Sequence, residues 1–297
     1  MKKFALMLAS ALLPVAAMAA DAPGPGWAFM TPDPNAPAPA GGGGGGGGAA
    51  AAAPAPQPGV PAIVAAGKGQ DVRPCNTCHT ISGMGQPESA NLRGLPVAYF
   101  VRQMQDFRSG QRGGPRSAAM VTFAKGLSDD EVREIATYYS GLKPTQWTRL
   151  SESNVAPKTI VGRNSARVKV EGTDTEEVGK RIIEFANSPA AVRQTAEPAF
   201  IAFVPGGSLS SGRTLVNTGG GGKTTACATC HGDRLQGKDD VPGIAGRSPV
   251  YVARQLYQFK TDIRKGPYAD MMKNVAANLS DDDIIAVSSY VASLDPS

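Results

Sequence analysis

Apolar residues recur at helical spacing in two places along this chain. Val97, Phe100, Val101, Met104 and Phe107 fall on one helix face, and Val250, Ala253, Leu256 and Phe259 repeat the pattern further on. Each stripe predicts an amphipathic helix with a buried side. Downstream of each, a serine followed by acids marks a second helix start, Ser128-Asp129-Asp130-Glu131 and Ser280-Asp281-Asp282-Asp283. The serine caps free N–H groups, the acids complement the helix dipole, and Glu131 completes a capping box. These helices should end before Pro144 and Pro296. The stretch between the two units, 145–207, has a different pattern. Val168 and Val170, and later residues 199–204, suggest short strands. Residues 176–187 read as a helix with Val178, Ile182, Ile183 and Phe185 inward, ended by Ser188-Pro189. A small strand pair packed across both units is the expected form of this insert.

The two striped units are copies. Residues 75–144 align on 227–296 without a gap, at a constant offset of 152 residues. Gly94 matches Gly246, Tyr99 matches Tyr251, Arg102-Gln103 matches Arg254-Gln255, and Phe107, Gly114-Pro115, Leu127-Ser128, Tyr138 and Pro144 all find identical partners. Such a repeat is a duplicated module. Ahead of it, Lys2-Lys3, an apolar run over 4–15 and Ala17-Met18-Ala19 form a secretory signal peptide. Cleavage after Ala19 leaves 278 residues. An uncleaved leader is the alternative, although its apolar run is short of the roughly 20 residues a span needs. From Asp21 the chain turns to alanine, proline and glycine, with eight consecutive glycines over 41–48. This composition cannot bury a core and predicts a flexible linker, or a membrane tether if the leader stays. The expected plan is therefore a leader over 1–19, a linker over 20–67, module 1 over 68–144, an insert over 145–207 and module 2 over 208–297.

Charge changes this picture little. The formal +5 falls to +3 without Lys2 and Lys3, so nucleic-acid binding is not indicated. The run 219–222 with Lys223 lacks the residue order of a phosphate loop and reads as a turn.

Cysteine and histidine are far more informative. Cys75-Asn76-Thr77-Cys78-His79 and Cys227-Ala228-Thr229-Cys230-His231 contain every cysteine and every histidine in the chain. This is the attachment signature of c-type haem: two thiols bond to the porphyrin vinyl groups, and the adjacent histidine reaches the iron. Two covalently bound haem c groups follow, with Cys75, Cys78, Cys227 and Cys230 holding them and His79 and His231 as iron ligands. With all four cysteines so used, no disulfide is expected.

No third histidine exists to close either iron, which leaves methionine thioether as the usual second ligand in electron-transfer haems. Of Met84, Met104, Met120, Met271 and Met272, only Met120 and Met272 match a methionine under the repeat, each 41 residues after its histidine. They are the expected ligands, on a connecting segment outside the two main helices, with Met271 as the rival of Met272. A ligating imidazole usually donates its other N–H to a carbonyl. Pro242 could supply it for His231 and Ala90 for His79, unless Pro242 simply shapes a loop. Arg102 and Arg254 are candidates for pairing with haem propionates or with the opposite module, or are plain solvated residues. Arg247 and Tyr251 are similar candidates around the second haem.

These residues resemble the diheme class I cytochromes c of the cytochrome c4 type. The carriers are Cys227 to Gly232, Gly243-Ile244-Ala245-Gly246, Tyr251, Arg254-Gln255-Leu256, Met272 and Leu279-Ser280-Asp281, with Cys75 to His79, Leu92-Arg93-Gly94, Tyr99, Gln103 to Asp106, Met120 and Leu127 to Asp130 in the first copy. Thr80 departs from the usual glycine after the motif, and the insert exceeds the short family linker. The resemblance implies a mainly α fold of two tandem class I cytochrome c modules, here with a small irregular or β-containing insert and a disordered N-terminal linker. It also implies His/Met ligation of both irons and electron carriage in the periplasm between redox proteins of the respiratory chain, toward a terminal oxidase.

A closed iron points to a carrier without a small-molecule substrate. A cytochrome subunit of a membrane dehydrogenase or oxidase complex is a second reading, with the insert as the docking element. An enzyme such as a diheme peroxidase is a third, and the lack of a further histidine counts against it.

Overall fold

The computed structural model describes residues 58–114, 117–161, 166–187 and 199–297. The expected leader, most of the linker, Pro115 and the Ser188-Pro189 helix end lie outside these residues. The fold is mainly α, with two tandem helical modules and a β insert between them. Module 1 runs α1 (Ala62–Ala66), α2 (Asn76–His79), α3 (Val97–Ser109), α4 (Ala118–Gly126) and α5 (Asp129–Ser140). The insert supplies β1 (Thr148–Glu152), β2 (Val155–Pro157), β3 (Thr159–Val161), β4 (Arg167–Lys169), β5 (Thr175–Glu177), β6 (Ile183–Ala186) and β7 (Phe200–Val204). Module 2 follows with α6 (Ser208–Gly222), α7 (Ala228–His231), β8 (Gly237–Lys238), β9 (Val241–Pro242), α8 (Pro249–Lys260), α9 (Ala269–Ala277) and α10 (Asp281–Ser293).

The two apolar stripes are α3 and α8. Phe100, Met104 and Phe107 enter the module 1 core with Val132, Ile135 and Tyr139 from α5. Ala253 and Leu256 do the same in module 2 against Ile284, Val287 and Val291 of α10 and Leu215 and Val216 of α6. Each fully buried aliphatic or aromatic side chain of this kind is worth about 1.5–3 kcal/mol. Both C-terminal helices open on complete capping boxes. Ser128 accepts from Glu131 N and Ser280 from Asp283 N, and each acid returns a bond to its serine N–H. Gly94 and Gly246 are glycine in both copies for a steric reason. Each has φ near +65°, and a Cβ there would lie 2.5 Å from Pro144 or 2.9 Å from Pro296. The proline after each C-terminal helix thus packs on the glycine before α3 or α8.

Three expectations change. The linker does not extend to residue 67, because Ile63 and Val64 of α1 are buried in the module 1 core. Residues 176–187 are not a helix: Thr175–Glu177 is β5, Ile183–Ala186 is β6, and Gly179 between them has φ +54°. Ile183 and Phe185 point to Ala156 and Val178, while the pairing of β6 with β7 satisfies the backbone. Pairing with a distant strand overrode the helical spacing. The insert also exceeds a strand pair. It forms a five-stranded sheet of order β1-β7-β6-β4-β3, parallel at β1–β7 and β6–β4, with β2–β5 as a separate antiparallel pair. Trp147, just before β1, donates its indole N–H to Gly85 O at 3.1 Å and packs near Met84, so the insert is anchored on module 1. The expected turn at the glycine run is present: Gly219, Gly220 and Gly221 all have left-handed φ values.

Candidate haem sites

Each attachment motif occupies one helical turn. Cys75 caps α2 and Cys227 caps α7, so the second cysteine and the histidine follow on the same short helix. Cysteines three apart on a helix lie on one side of it, which is what bonding to a single porphyrin requires. Burial pushes the Cys75 and Cys227 thiols up to about 11, so both stay uncharged at neutral pH. The chain leaves the turn through Gly232 at φ +83° in module 2 and through Thr80 at φ +59° in module 1. A β-branched residue is strained there. The Thr80 hydroxyl offsets part of this by accepting from Met84 N at 3.1 Å.

The histidines are oriented as a ligand pair should be. His79 Nδ1 lies 2.8 Å from Ala90 O, and His231 Nδ1 lies 2.8 Å from Pro242 O. A carbonyl only accepts, so each Nδ1 carries the proton and each Nε2 is left unprotonated, able to ligate a metal. Burial lowers the pKa of both rings, the carbonyls oppose it, and Arg112 near His79 and Arg247 near His231 lower it further. Both rings are thus held neutral, the form that binds metal.

Met120 lies in α4 and Met272 in α9. The expected connecting segment is helical, since both copies reach the C-terminal cap by way of a short helix. Met120 packs on the module 1 core and Met272 on the module 2 core, whereas Met271 is 60% exposed. One residue along a helix is a rotation of about 100°, enough to turn one thioether inward and its neighbour to solvent.

The arginines and Tyr251 sit at the seam between the modules. Arg102 reaches across to the Asp240 carboxylate and stacks on Tyr268, 4.4 Å from its ring centre. Its repeat partner Arg254 donates to Glu88 O at 3.0 Å and Pro87 O at 3.2 Å. Glu88 and Asp240 are themselves 152 apart, so the two contacts are related by an approximate twofold axis. Of the alternatives open in the sequence, contact with the opposite module is thus the one observed.

The residues that the sequence reading overlooked are Arg112 and Arg264, another identical pair at the same offset. Their backbones bridge the modules as an isolated antiparallel pair. Arg112 donates to Tyr251 OH at 3.1 Å and Gln255 Oε1 at 2.9 Å, while Arg264 donates to Tyr99 OH at 2.8 Å and to Gln103 Oε1. Burial raises the Tyr99 phenol, yet Arg264 and Arg112 prevail and hold it below its ordinary range. Identity under the repeat was the available signal. It was missed because neither arginine lies in a motif or on an apolar stripe.

Arg112, Arg247, Arg254 and Arg264 are all between 6% and 9% exposed, whereas Asp106 and Glu184 are the buried acids among the described residues. Four buried cations against two buried carboxyls leave a positive surplus. That surplus fits a cofactor carrying carboxylates, and a haem has two propionates.

Residues 211–295 match the Cytochrome c family. Cytochrome c-554(548) of Halomonas halodenitrificans is 39% identical over 77 residues, covering 25% of this chain and 93% of that protein. The chain belongs to the cytochrome c family. More narrowly, it is a diheme, cytochrome c4-like member carrying covalently bound haem c. Cytochrome c4 of Azotobacter vinelandii is 26% identical to this cytochrome over 240 residues, 77% of this chain and 88% of the relative. The thiosulfate dehydrogenase electron acceptor of Stutzerimonas stutzeri is 26% identical over 223 residues, 74% of this chain and 78% of the relative. A thiosulfate dehydrogenase structure (TsdBA) from Marichromatium purpuratum shares the fold with a TM-score of 0.55 at 24% identity. That match takes in 79% of this cytochrome but only 39% of that chain. The cytochrome c4 relatives make this chain an electron carrier that works with redox partners.

Proposed function

We propose that this cytochrome shuttles single electrons between periplasmic redox proteins of the respiratory chain, toward a terminal oxidase, without turning over a substrate of its own. The bound haem irons supply one-electron chemistry by alternating between ferric and ferrous. His79 and Met120 would ligate the first iron, and His231 and Met272 the second. The observation that carries the reading is that both copies hold a neutral histidine by Nδ1 on a backbone carbonyl at 2.8 Å and place the matched methionine against the core. Ligands fixed in this way need not move when an electron arrives, so reorganisation is small. Cys75, Cys78, Cys227 and Cys230 would bond the porphyrins, and Arg112, Arg247, Arg254 and Arg264 would offer charge to their propionates. Likeness to a thiosulfate dehydrogenase electron acceptor supports a periplasmic dehydrogenase as the electron donor. Among the described residues no helix is long and apolar enough to cross a membrane, and the leader of 1–19 accounts for export. Addition of cyanide to the ferric holoprotein tests the closed sites. Unchanged spectra over minutes support a carrier, whereas rapid binding at either haem means an open iron and an enzyme-like site.

A further inference from the structure

The two buried acids, Asp106 and Glu184, have opposite surroundings. Burial raises the Asp106 carboxyl, and Arg264, Arg112 and Arg102 oppose the rise. Glu184 makes no ion pair among the described residues. It lies on β6 of the insert, outside the duplicated residues 75–144 and 227–296, so the repeat does not account for it. Two hydroxyls and an amide donate to it: Thr148 Oγ1 at 2.9 Å, Ser248 Oγ at 2.6 Å and Val250 N at 3.4 Å. The charged groups of the surrounding elements are engaged elsewhere. β6 and β7 bring no other titratable side chain. On β1, Arg149 is exposed and Glu152 accepts from Leu209 N. Arg167 of β4 and Arg181 before β6 both pair with Glu176. At α8, Arg247 donates to the Gly243 and Asn91 carbonyls, Arg254 donates to those of Pro87 and Glu88, and Tyr251 OH accepts from Arg112. Glu88 of module 1 is itself an acid and disfavours a second negative charge. Arg247 and Glu184 line one small cavity, and the carbonyls that Arg247 holds are next in sequence to those orienting His231 and His79. The carboxyl is thus buried beside the segments that carry both histidine contacts.

We propose that Glu184 is a redox-linked proton site: its carboxylate takes up a proton when the protein accepts an electron and returns it when the electron leaves. A ferric site carries one more positive charge than a ferrous one and so favours the ionised carboxylate more. Reduction removes that support, and a buried carboxylate with no cation of its own is the group that responds. Burial pushes this carboxyl up to about 7, so both charge states are populated at neutral pH. In the step, a donor protein loses one electron, an iron gains it, and one proton from solvent bonds to a Glu184 carboxylate oxygen; no other bond changes. Linkage is reciprocal, so protonated Glu184 favours the reduced protein. This inference rests on the carrier function proposed above and makes that carriage proton-coupled.

Redox-difference infrared spectroscopy of the holoprotein at pH 7 tests it, alongside proton uptake read with an indicator dye. Reduction of native protein should raise a protonated-carboxyl C=O band and take up a measurable fraction of a proton. Glu184→Gln should lose both signals, and Asp106→Asn should keep them. Potentiometric titration gives a second measure. From pH 5 to pH 9, at a fixed electrode potential, the ferric-to-ferrous ratio should rise about three- to tenfold more in native protein than in Glu184→Gln, the scale of one charge acting across a folded interior. The same uptake and pH dependence in Glu184→Gln would place the proton on a propionate and overturn the proposal. Loss of the band in Asp106→Asn rather than Glu184→Gln would overturn it too. Rapid cyanide binding by native protein would instead refute the carrier reading, and the carboxyl band measures Glu184 separately.

Discussion

Glu184 is a buried carboxyl whose ionisation bears on stability. It projects from β6 on the face opposite Ile183 and Phe185, toward the start of α8, and is 3% exposed. Thr148 Oγ1 donates to it at 2.9 Å and Ser248 Oγ at 2.6 Å. Burial pushes its carboxyl up to about 7; Glu88 adds to the rise, and the hydrogen bonds only partly oppose it. In the unfolded chain a glutamate titrates near 4.3. The folded pKa lies above the unfolded one, so the folded state binds this proton more tightly. The stabilisation from protonated Glu184 is complete below about pH 4 and is lost as pH rises through 7. A difference of between two and three pK units at 1.36 kcal/mol each gives about 3 kcal/mol. The positive end of α8, close to the carboxyl, makes that figure a ceiling. Glu184→Gln cannot ionise and retains an oxygen for Thr148 or Ser248. Urea denaturation of both holoproteins, followed by far-UV circular dichroism from pH 4 to pH 8, is the assay. Native protein should lose about 3 kcal/mol relative to the variant across this window. Parallel stability profiles would refute the placement of a buried, ionising carboxyl between insert and module 2.

Other consequences concern the seam and the repeat. Arg264→Ala leaves Tyr99 OH without its buried donor, while Gln103 keeps Arg112 at 2.8 Å, and should cost about 1–3 kcal/mol in urea melts. It should also raise the Tyr99 titration, seen by phenolate absorbance, because Arg264 helps to hold that phenol down. Gly94→Ala forces a Cβ to 2.5 Å from Pro144 at φ +64° and should cost about 2–4 kcal/mol. The same change at Gly59, where nothing lies within 4 Å, should cost clearly less.

What the sequence revealed depended on how local the cause was. Ser128 and Ser280 cap helices through contacts three residues away, so their role could be read directly. The repeat extended this reach, because a residue identical in both copies meets the same demand twice. Gly94 with Pro144, and the carbonyls of Ala90 and Pro242, are examples. Where a contact has no copy, the sequence is silent or misleading. Residues 183–186 have apolar spacing that suits a helix, and only the distant partner Phe200–Val204 makes them a strand. Ile63 and Val64 sit at the end of a low-complexity run, and their burial depends on α5. Arg112 and Arg264 were present as a matched pair, but their meaning lies in crossing between modules, which no intramodule pattern records.

The proposed function stands on two closed His/Met haem sites. The sulfur-to-iron charge-transfer band of the ferric holoprotein measures them most directly, in native protein and in Met120→Ala, Met272→Ala and Met271→Ala. Closed His/Met ligation gives a band of two-haem intensity in native protein, about half of it in each of the first two variants, and no change in the third. A high-spin native spectrum, or loss of the band on changing Met271 rather than Met272, would contradict it.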